Sequence, residues 1–297
     1  MKRFAELLLV IFSWLALLVF AASFLSIFVV LLLRVRGLDA VSLFFGDTPP
    51  VDALLHGLPV FDGIYPALLG TVSVVMVAVL CAVLPGIFTG IYLAEFAGPW
   101  AHRIVNLLVD VLAGLPSIVV GLAGFSFMVL LHNLFPGAPG PCMAWSALAL
   151  GFLVLPYLVR TTETALQAIP AELRRTAPTL GATKVQNIFF VLLPFRAKDL
   201  LGGVILATGR AAEDTAVIML TGVVASAPGM HSLFKQFEAL PFYIYYMSSQ
   251  YRDLAELQYG FGASVTLLLL CGLFFAAAFL LQSYVSFRFR GSSWLQK

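Results

Sequence analysis

"RTTETALQAIPAELRRTAPTLGATKVQNIFFVLLP", residues 160–194, interrupts a chain otherwise dominated by apolar runs. It reads as short helices broken by turns. Thr161 or Thr162 can cap the first. Pro170 suits the first turn of the next, because the N–H it lacks would be unpaired there anyway. Gly181 fits the left-handed position after a helix C-terminus. "ATKVQNIFFVLLP" then returns to the apolar phase, with Pro194 near the turn into the next run. By composition the stretch suits two uses: a basic amphipathic loop lying on anionic lipid, or a rigid knob that docks a soluble partner.

What flanks this loop sets the class. Of 297 residues, 61% are hydrophobic and 11% charged, whereas a soluble domain is about a quarter charged. This composition marks an all-α, polytopic membrane protein. Runs at 7–33, 64–94, 107–132, 143–160, 198–223 and 261–286 meet or approach the ~20 residues that span a bilayer, predicting six transmembrane helices. The first begins like a signal peptide, but it exceeds the roughly 7–15 apolar residues of one and reads as a retained helix. In the second, Pro85 is expected to kink the helix, and Gly86 and Gly90 to form a packing face. In the third, "LPS" at 115–117 can break the helix, and Asp110 is expected to be hydrogen-bonded near the interface. Glu95 is expected to meet headgroups or the loop.

Lys and Arg set the orientation. With the N-terminus in the cytoplasm, twelve of the 17 fall in cytoplasmic segments. Only Arg34, Arg36, Lys235 and Arg252 lie outside, and Arg210 lies within the membrane. This satisfies the positive-inside rule and places both termini and loop 160–197 in the cytoplasm. The external segment 34–63 is expected to hold a short helix around Asp52–His56, and the aromatic segment 224–260 to anchor at the interface. Three scattered cysteines and four scattered histidines suggest neither a disulfide framework nor a metal site. Nothing calls for a cofactor or for nucleic acid.

"GRAAEDTAVIMLTG", residues 209–222, places Arg210, Glu213 and Asp214 in the fifth run, where ionised groups are expensive. On a continuous helix, Gly203, Arg210, Asp214 and Thr221 share one stripe and Glu213 lies off it. Arg210 and Asp214 are then an i,i+4 pair, roughly 15 Å from the cytoplasmic helix end. A structural ion pair explains this as well as an anion path does. The residue types suit the path: a guanidinium grips oxyanions with paired N–H donors, and a carboxylate accepts a hydrogen bond from the P–OH of hydrogen phosphate. Adjacent acids about 100° apart suit paired acid–base catalysis poorly, which argues against an enzyme. A membrane sensor or scaffold needs no such cluster.

The loop resembles the "EAA" loop of ABC importer permeases: Gly181, Val191, Leu193 and Pro194 match, while Arg175-Thr176-Ala177 stands where that family has Glu-Ala-Ala. "GLPSIVVGLAGF" (114–125), the loop, and the fifth-run stretch together resemble the PstA-type phosphate permease family over about residues 64–290. That family usually has Arg-Ala-x-Gly-Glu-Thr where this chain has Arg210-Ala211-Ala212-Glu213-Asp214-Thr215. The resemblance implies a type I ABC importer (MetI-like) permease fold in a bacterial inner membrane. It also implies a second homologous permease, two ATP-binding subunits and an extracytoplasmic phosphate-binding protein. The chain has no GxxxxGK[ST] phosphate loop, so ATP hydrolysis is assigned to a separate chain. The expected substrate path comprises Arg210, Asp214, Glu213 and Thr215. The expected ATPase contact comprises Glu163, Pro170, Arg174, Arg175, Ala177, Gly181, Ala182, Leu193 and Pro194. The expected organisation is an N-terminal helix and external loop (1–63), a transmembrane domain (64–290) and a tail (291–297). Permeases for molybdate, sulfate or phosphonate, or a non-transport membrane scaffold or sensor, are the alternatives.

Overall fold

The structure, a computed structural model, describes residues 2–56, 58–227 and 232–289. The tail at 291–297, along with Arg290 and Lys297 of the charge pattern, lies outside the described residues. Fourteen α-helices follow in order among the described residues. They are α1 (Lys2–Val35), α2 (Ala40–Phe45), α3 (Pro50–Leu55), α4 (Tyr65–Glu95), α5 (Pro99–Gly114), α6 (Ser117–Leu134) and α7 (Met143–Gln167). The loop region holds α8 (Ala171–Thr179), α9 (Lys184–Asn187), a π-helical stretch Ile188–Leu192, and α10 (Leu193–Phe195). The remainder is α11 (Ala197–Glu213), α12 (Ala216–Thr221), α13 (Leu240–Gln250) and α14 (Leu254–Phe289). Helices α1, α4, α6, α7 and α14 are long and apolar enough to cross a membrane.

The fifth apolar run behaves differently. Residues 198–223 do not form the continuous helix expected; α11 stops at Glu213 and α12 starts after Thr215. Asp214 supplies the reason. Its backbone is extended (φ −78°, ψ 122°), and its Oδ1 accepts a hydrogen bond from the Val217 N–H at 2.9 Å. A short carboxylate competes well for backbone N–H groups, which favours breaking and restarting a helix. The stripe through Gly203, Arg210, Asp214 and Thr221 is therefore cut in two.

Helices α4 and α7 form the centre and run parallel, since residue 78 meets 151, residue 86 meets 158 and residue 90 meets 162. The Gly86 and Gly90 packing face is real. A Cβ at Gly86 would sit 2.6 Å from the Leu158 Cβ, and one at Gly90 would sit 2.5 Å from the Thr162 Cβ. The α4 helix continues through Pro85 without interruption. Around this pair, Val75, Ala78, Leu150, Val154 and Leu158 pack with Ala207, Ala211, Val217 and Ile218 of α11 and α12. Helix α6 lies on α12, with Gly121 against Val217 and Ala216. Leu115 and Pro116 separate α5 from α6, as "LPS" predicts.

At the end of the bundle remote from loop 160–197, α3 is the short helix expected around Asp52–His56, and α2 precedes it. Residues 222–227 and 232–239 lie on that end, joined by a parallel bridge between Val223 and Phe237. The aromatic segment is only partly an exposed belt. Tyr245 and Tyr246 are open, but Tyr243 is buried with Leu43, Ile64 and Leu240. Burial pushes the Tyr243 phenol up from its ordinary value, with nearby acids adding to the shift.

The other end carries the loop. Helix α7 runs on to Gln167, so Thr161 and Thr162 lie inside it and cap nothing. The Thr161 hydroxyl donates to the Tyr157 carbonyl at 2.6 Å, a bond back along the helix that satisfies it without ending the helix. Thr162 is buried against Gly90. Pro170 is the N-cap of α8 rather than its first residue. Gly181 does take the left-handed conformation (φ +90°) just past α8.

Candidate functional site

The break between α11 and α12 brings opposite helix ends together. Arg210 lies in the last turn of α11, and Asp214 caps the first turn of α12. A cation is favoured at a helix C-terminus and an acid at an N-terminus, so both charges are stabilised locally. Arg210 stands thirteen residues from the start of α11, which is about 20 Å of helix. Broken backbone at membrane depth is tolerated only when protein covers it or it lines a cavity. Here the Asp214 side chain is 3% exposed and that of Arg210 28%.

All three charged residues meet. Arg210 Nη2 lies 3.3 Å from Asp214 Oδ2, and Arg210 Nη1 lies 3.2 Å from Glu213 Oε1. Glu213 therefore meets Arg210 although it lies off the Arg210–Asp214 stripe; both sit in the unbroken α11. At i,i+3 its longer side chain reaches back to the guanidinium. The Glu213 side chain is 64% exposed. Thr215 is half-buried at the N-cap of α12.

The loop residues fall into two groups. Arg174 ties the loop to the bundle: it pairs with Glu95 of α4 and donates to the carbonyls of Ile169 and Leu166. The Lys184 ammonium binds the Glu95 carbonyl and lies 4.5 Å from the Phe96 ring centroid. Asn187 Nδ2 donates to the Arg174 carbonyl at 3.0 Å. Pro170, Arg175 and Gly181 are exposed, and Ala177, Ala182, Leu193 and Pro194 are half-buried. Between them Leu180 is 85% exposed at the loop tip. Glu163 does not join this surface. It is buried in α7, where Arg160 Nη1 (2.9 Å) and His102 Nε2 (3.0 Å) hold its carboxylate.

The family profile described as "Binding-protein-dependent transport system inner membrane component" matches residues 86–291. The chain belongs to that family. This inner membrane component is 30% identical over 212 residues to the phosphate transport system permease protein PstA of Haemophilus influenzae, covering 70% of this chain and 72% of that one. It is 36% identical over 162 residues to the PstA of Mycobacterium leprae, covering 54% of this chain but only 51%, about half, of that protein. Its fold resembles the inward-facing MetNI methionine ABC transporter, with TM-score 0.57, 19% identity, and coverage of 74% of this chain and 94% of that one.

In this inner membrane component, a further polar cluster escaped sequence reasoning. His102, Asn106 and Asp110 line one face of α5 and meet Arg160 and Glu163 of α7. Arg160 donates to Asn106 Oδ1 (2.8 Å) and pairs with Asp110. Gln167 donates to Glu163 at 3.2 Å. The i, i+4, i+8 spacing of the α5 residues was the available signal. Asp110 is hydrogen-bonded as expected, and Glu95 meets the loop.

Proposed function

We propose that this chain is the transmembrane permease subunit of an ATP-driven importer for inorganic phosphate. It shares its translocation path with a second permease, receives substrate from an extracytoplasmic binding protein, and couples to two ATP-binding subunits. The single observation that carries the substrate reading is Arg210 at the helix break. A permanently charged, part-exposed guanidinium deep in an apolar bundle suits transient contact with a tetrahedral oxyanion. Asp214 holds it in place. The names of the curated relatives support phosphate as the cargo.

The same reading makes the chain a transport subunit with no ATPase site of its own. It orients the loop end of the bundle, with the N-terminus, toward the cytoplasm, in line with the distribution of Lys and Arg. Residues 1–63 then form an accessory helix and external loop ahead of the transporting domain at 64–290. The ATPase contact is the exposed loop tip around Arg175, Leu180 and Gly181. Pro170, Ala177, Ala182, Leu193 and Pro194 shape it and Arg174 fastens it; Glu163, buried in α7, braces the helix behind it.

A second reading, transport of another oxyanion, is favoured by one feature: Glu213 and Asp214 replace the Gly-Glu pair typical of PstA-type permeases. Competition in reconstituted vesicles separates the two. Uptake of labelled phosphate, dependent on ATP and binding protein, should be displaced by unlabelled phosphate and not by a tenfold excess of sulfate, molybdate or phosphonate. Displacement by one of these at lower concentration than phosphate would transfer the assignment to that anion.

A further inference from the structure

Two carboxylates share one guanidinium at the break, and they are held very differently. Asp214 is locked: it is almost fully buried, one oxygen faces Arg210 and the other takes the Val217 N–H at 2.9 Å. Glu213 is loose. It is mostly exposed, and among the described residues its one hydrogen bond is to Arg210 Nη1, at 3.2 Å. Both carboxylates stand beyond the ~2.7–2.9 Å typical of a charge-assisted N–H···O bond to Arg210, at 3.2 and 3.3 Å, so exposure and the missing backbone partner are what set Glu213 apart. Glu213 also ends α11, where the helix dipole disfavours a negative charge. Its position is favourable only because Arg210 is there.

With one cation and two carboxylates the site carries a formal charge of −1. An arriving oxyanion is repelled unless a carboxylate leaves. Asp214 cannot leave without uncapping α12; Glu213 can rotate toward the exposed side. We propose that Glu213 is a built-in competitor for the anion contact on Arg210. Its carboxylate occupies the Nη1 edge that a passing oxyanion takes, and binding is an exchange of one for the other. The inference rests on the reading of Arg210 as an anion contact. It gives Glu213 a definite function: the guanidinium stays paired while the path is empty, and the anion is held too weakly to be trapped. A carboxylate and a phosphate oxygen accept from the same N–H donors, so the exchange leaves the hydrogen-bond count unchanged.

The test uses the assembled complex in nanodiscs, with inorganic phosphate as probe. Phenylglyoxal modification of Arg210 is read by mass spectrometry of its peptide. Phosphate should protect Arg210, and in Glu213→Gln half-protection should come at a two- to fivefold lower phosphate concentration, the range expected for removing one exposed ion pair (about 0.4–1 kcal/mol). Without phosphate, Arg210 should be modified faster in Glu213→Gln than in the native chain. Glu213→Gly should shift both readings the same way, and Glu213→Asp, which keeps the charge, should shift them less. Equal half-protecting concentrations in the native chain, Glu213→Gln and Glu213→Gly would overturn the competitor role while leaving Arg210 as an anion contact. If phosphate protects Arg210 in none of the proteins, the reading of Arg210 itself fails and the exchange fails with it.

Discussion

Replacing Asp214 by alanine removes two interactions at once: the cap on α12 and the buried partner of Arg210. The cap is a single bond from the Val217 N–H at 2.9 Å, and losing such a cap costs about 0.5–2 kcal/mol. The ion pair adds less, because Arg210 is part-exposed and keeps Glu213 at 3.2 Å; about 0.2–1 kcal/mol is the measured range for such pairs. Asp214→Ala should therefore destabilise the fold by about 1–3 kcal/mol. Asp214→Asn keeps an acceptor for the Val217 N–H and should lose only the smaller part. The gap between the two variants, about 1 kcal/mol, is roughly a fivefold difference in the folded-to-unfolded ratio. Unfolding in mixed detergent micelles titrated with dodecyl sulfate, followed by circular dichroism, resolves that difference. Equal stability of Asn and Ala variants would show that the carboxylate does not hold the break, and the account of why α11 ends at Glu213 would be wrong.

Other expectations follow from the same packing. Gly90→Ala puts a methyl 2.5 Å from the Thr162 Cβ and 2.8 Å from the Val159 carbonyl; it should lose about 1–3 kcal/mol by overpacking, seen as a lower unfolding midpoint. Arg174→Ala frees the loop from Glu95, so hydrogen exchange should speed up across 171–187 and uptake should fall more than ATP hydrolysis. Glu238 is buried beside the returning segment, which pushes its carboxyl up from 4.5 to about 7 despite the Ala227 N–H that binds it at 2.7 Å. The folded state then holds the proton more tightly than the unfolded one, so stability is greatest below about pH 4.5 and falls as pH rises through about 7, by about 3 kcal/mol. Glu238→Gln should flatten that part of the pH–stability curve; an unchanged slope would assign it to other groups.

The apolar runs announced the spanning helices, because length and composition are what a bilayer demands. Gly86 and Gly90 announced a packing face on α4, because small residues four apart let another helix approach closely, but not that α7 is the partner. The break at Asp214 was hidden by its neighbours. The flanking sequence is helix-forming and apolar, so a 3.6-residue period was carried across a residue whose side chain bonds the backbone instead. Glu213 lies off the stripe but in the same unbroken helix as Arg210, where the i,i+3 spacing alone brings the two together. Thr161 and Thr162 resembled caps, yet one bonds back to Tyr157 and the other packs on Gly90, a contact visible only once the helices are paired. Glu163 looked like part of the loop because it follows Arg160 in sequence, whereas α5 supplies the histidine and asparagine that surround it. Long-range partners of this kind leave only a face pattern in the sequence.

The central claim is that Arg210 meets the transported anion. Its direct test is uptake of labelled phosphate by cells expressing the native chain, Arg210→Lys or Arg210→Ala at matched membrane levels, with the partner subunits present. Uptake should be almost completely lost in the alanine variant and partly lost in the lysine variant, which keeps the charge without the paired N–H donors. Native uptake by Arg210→Ala would contradict the claim.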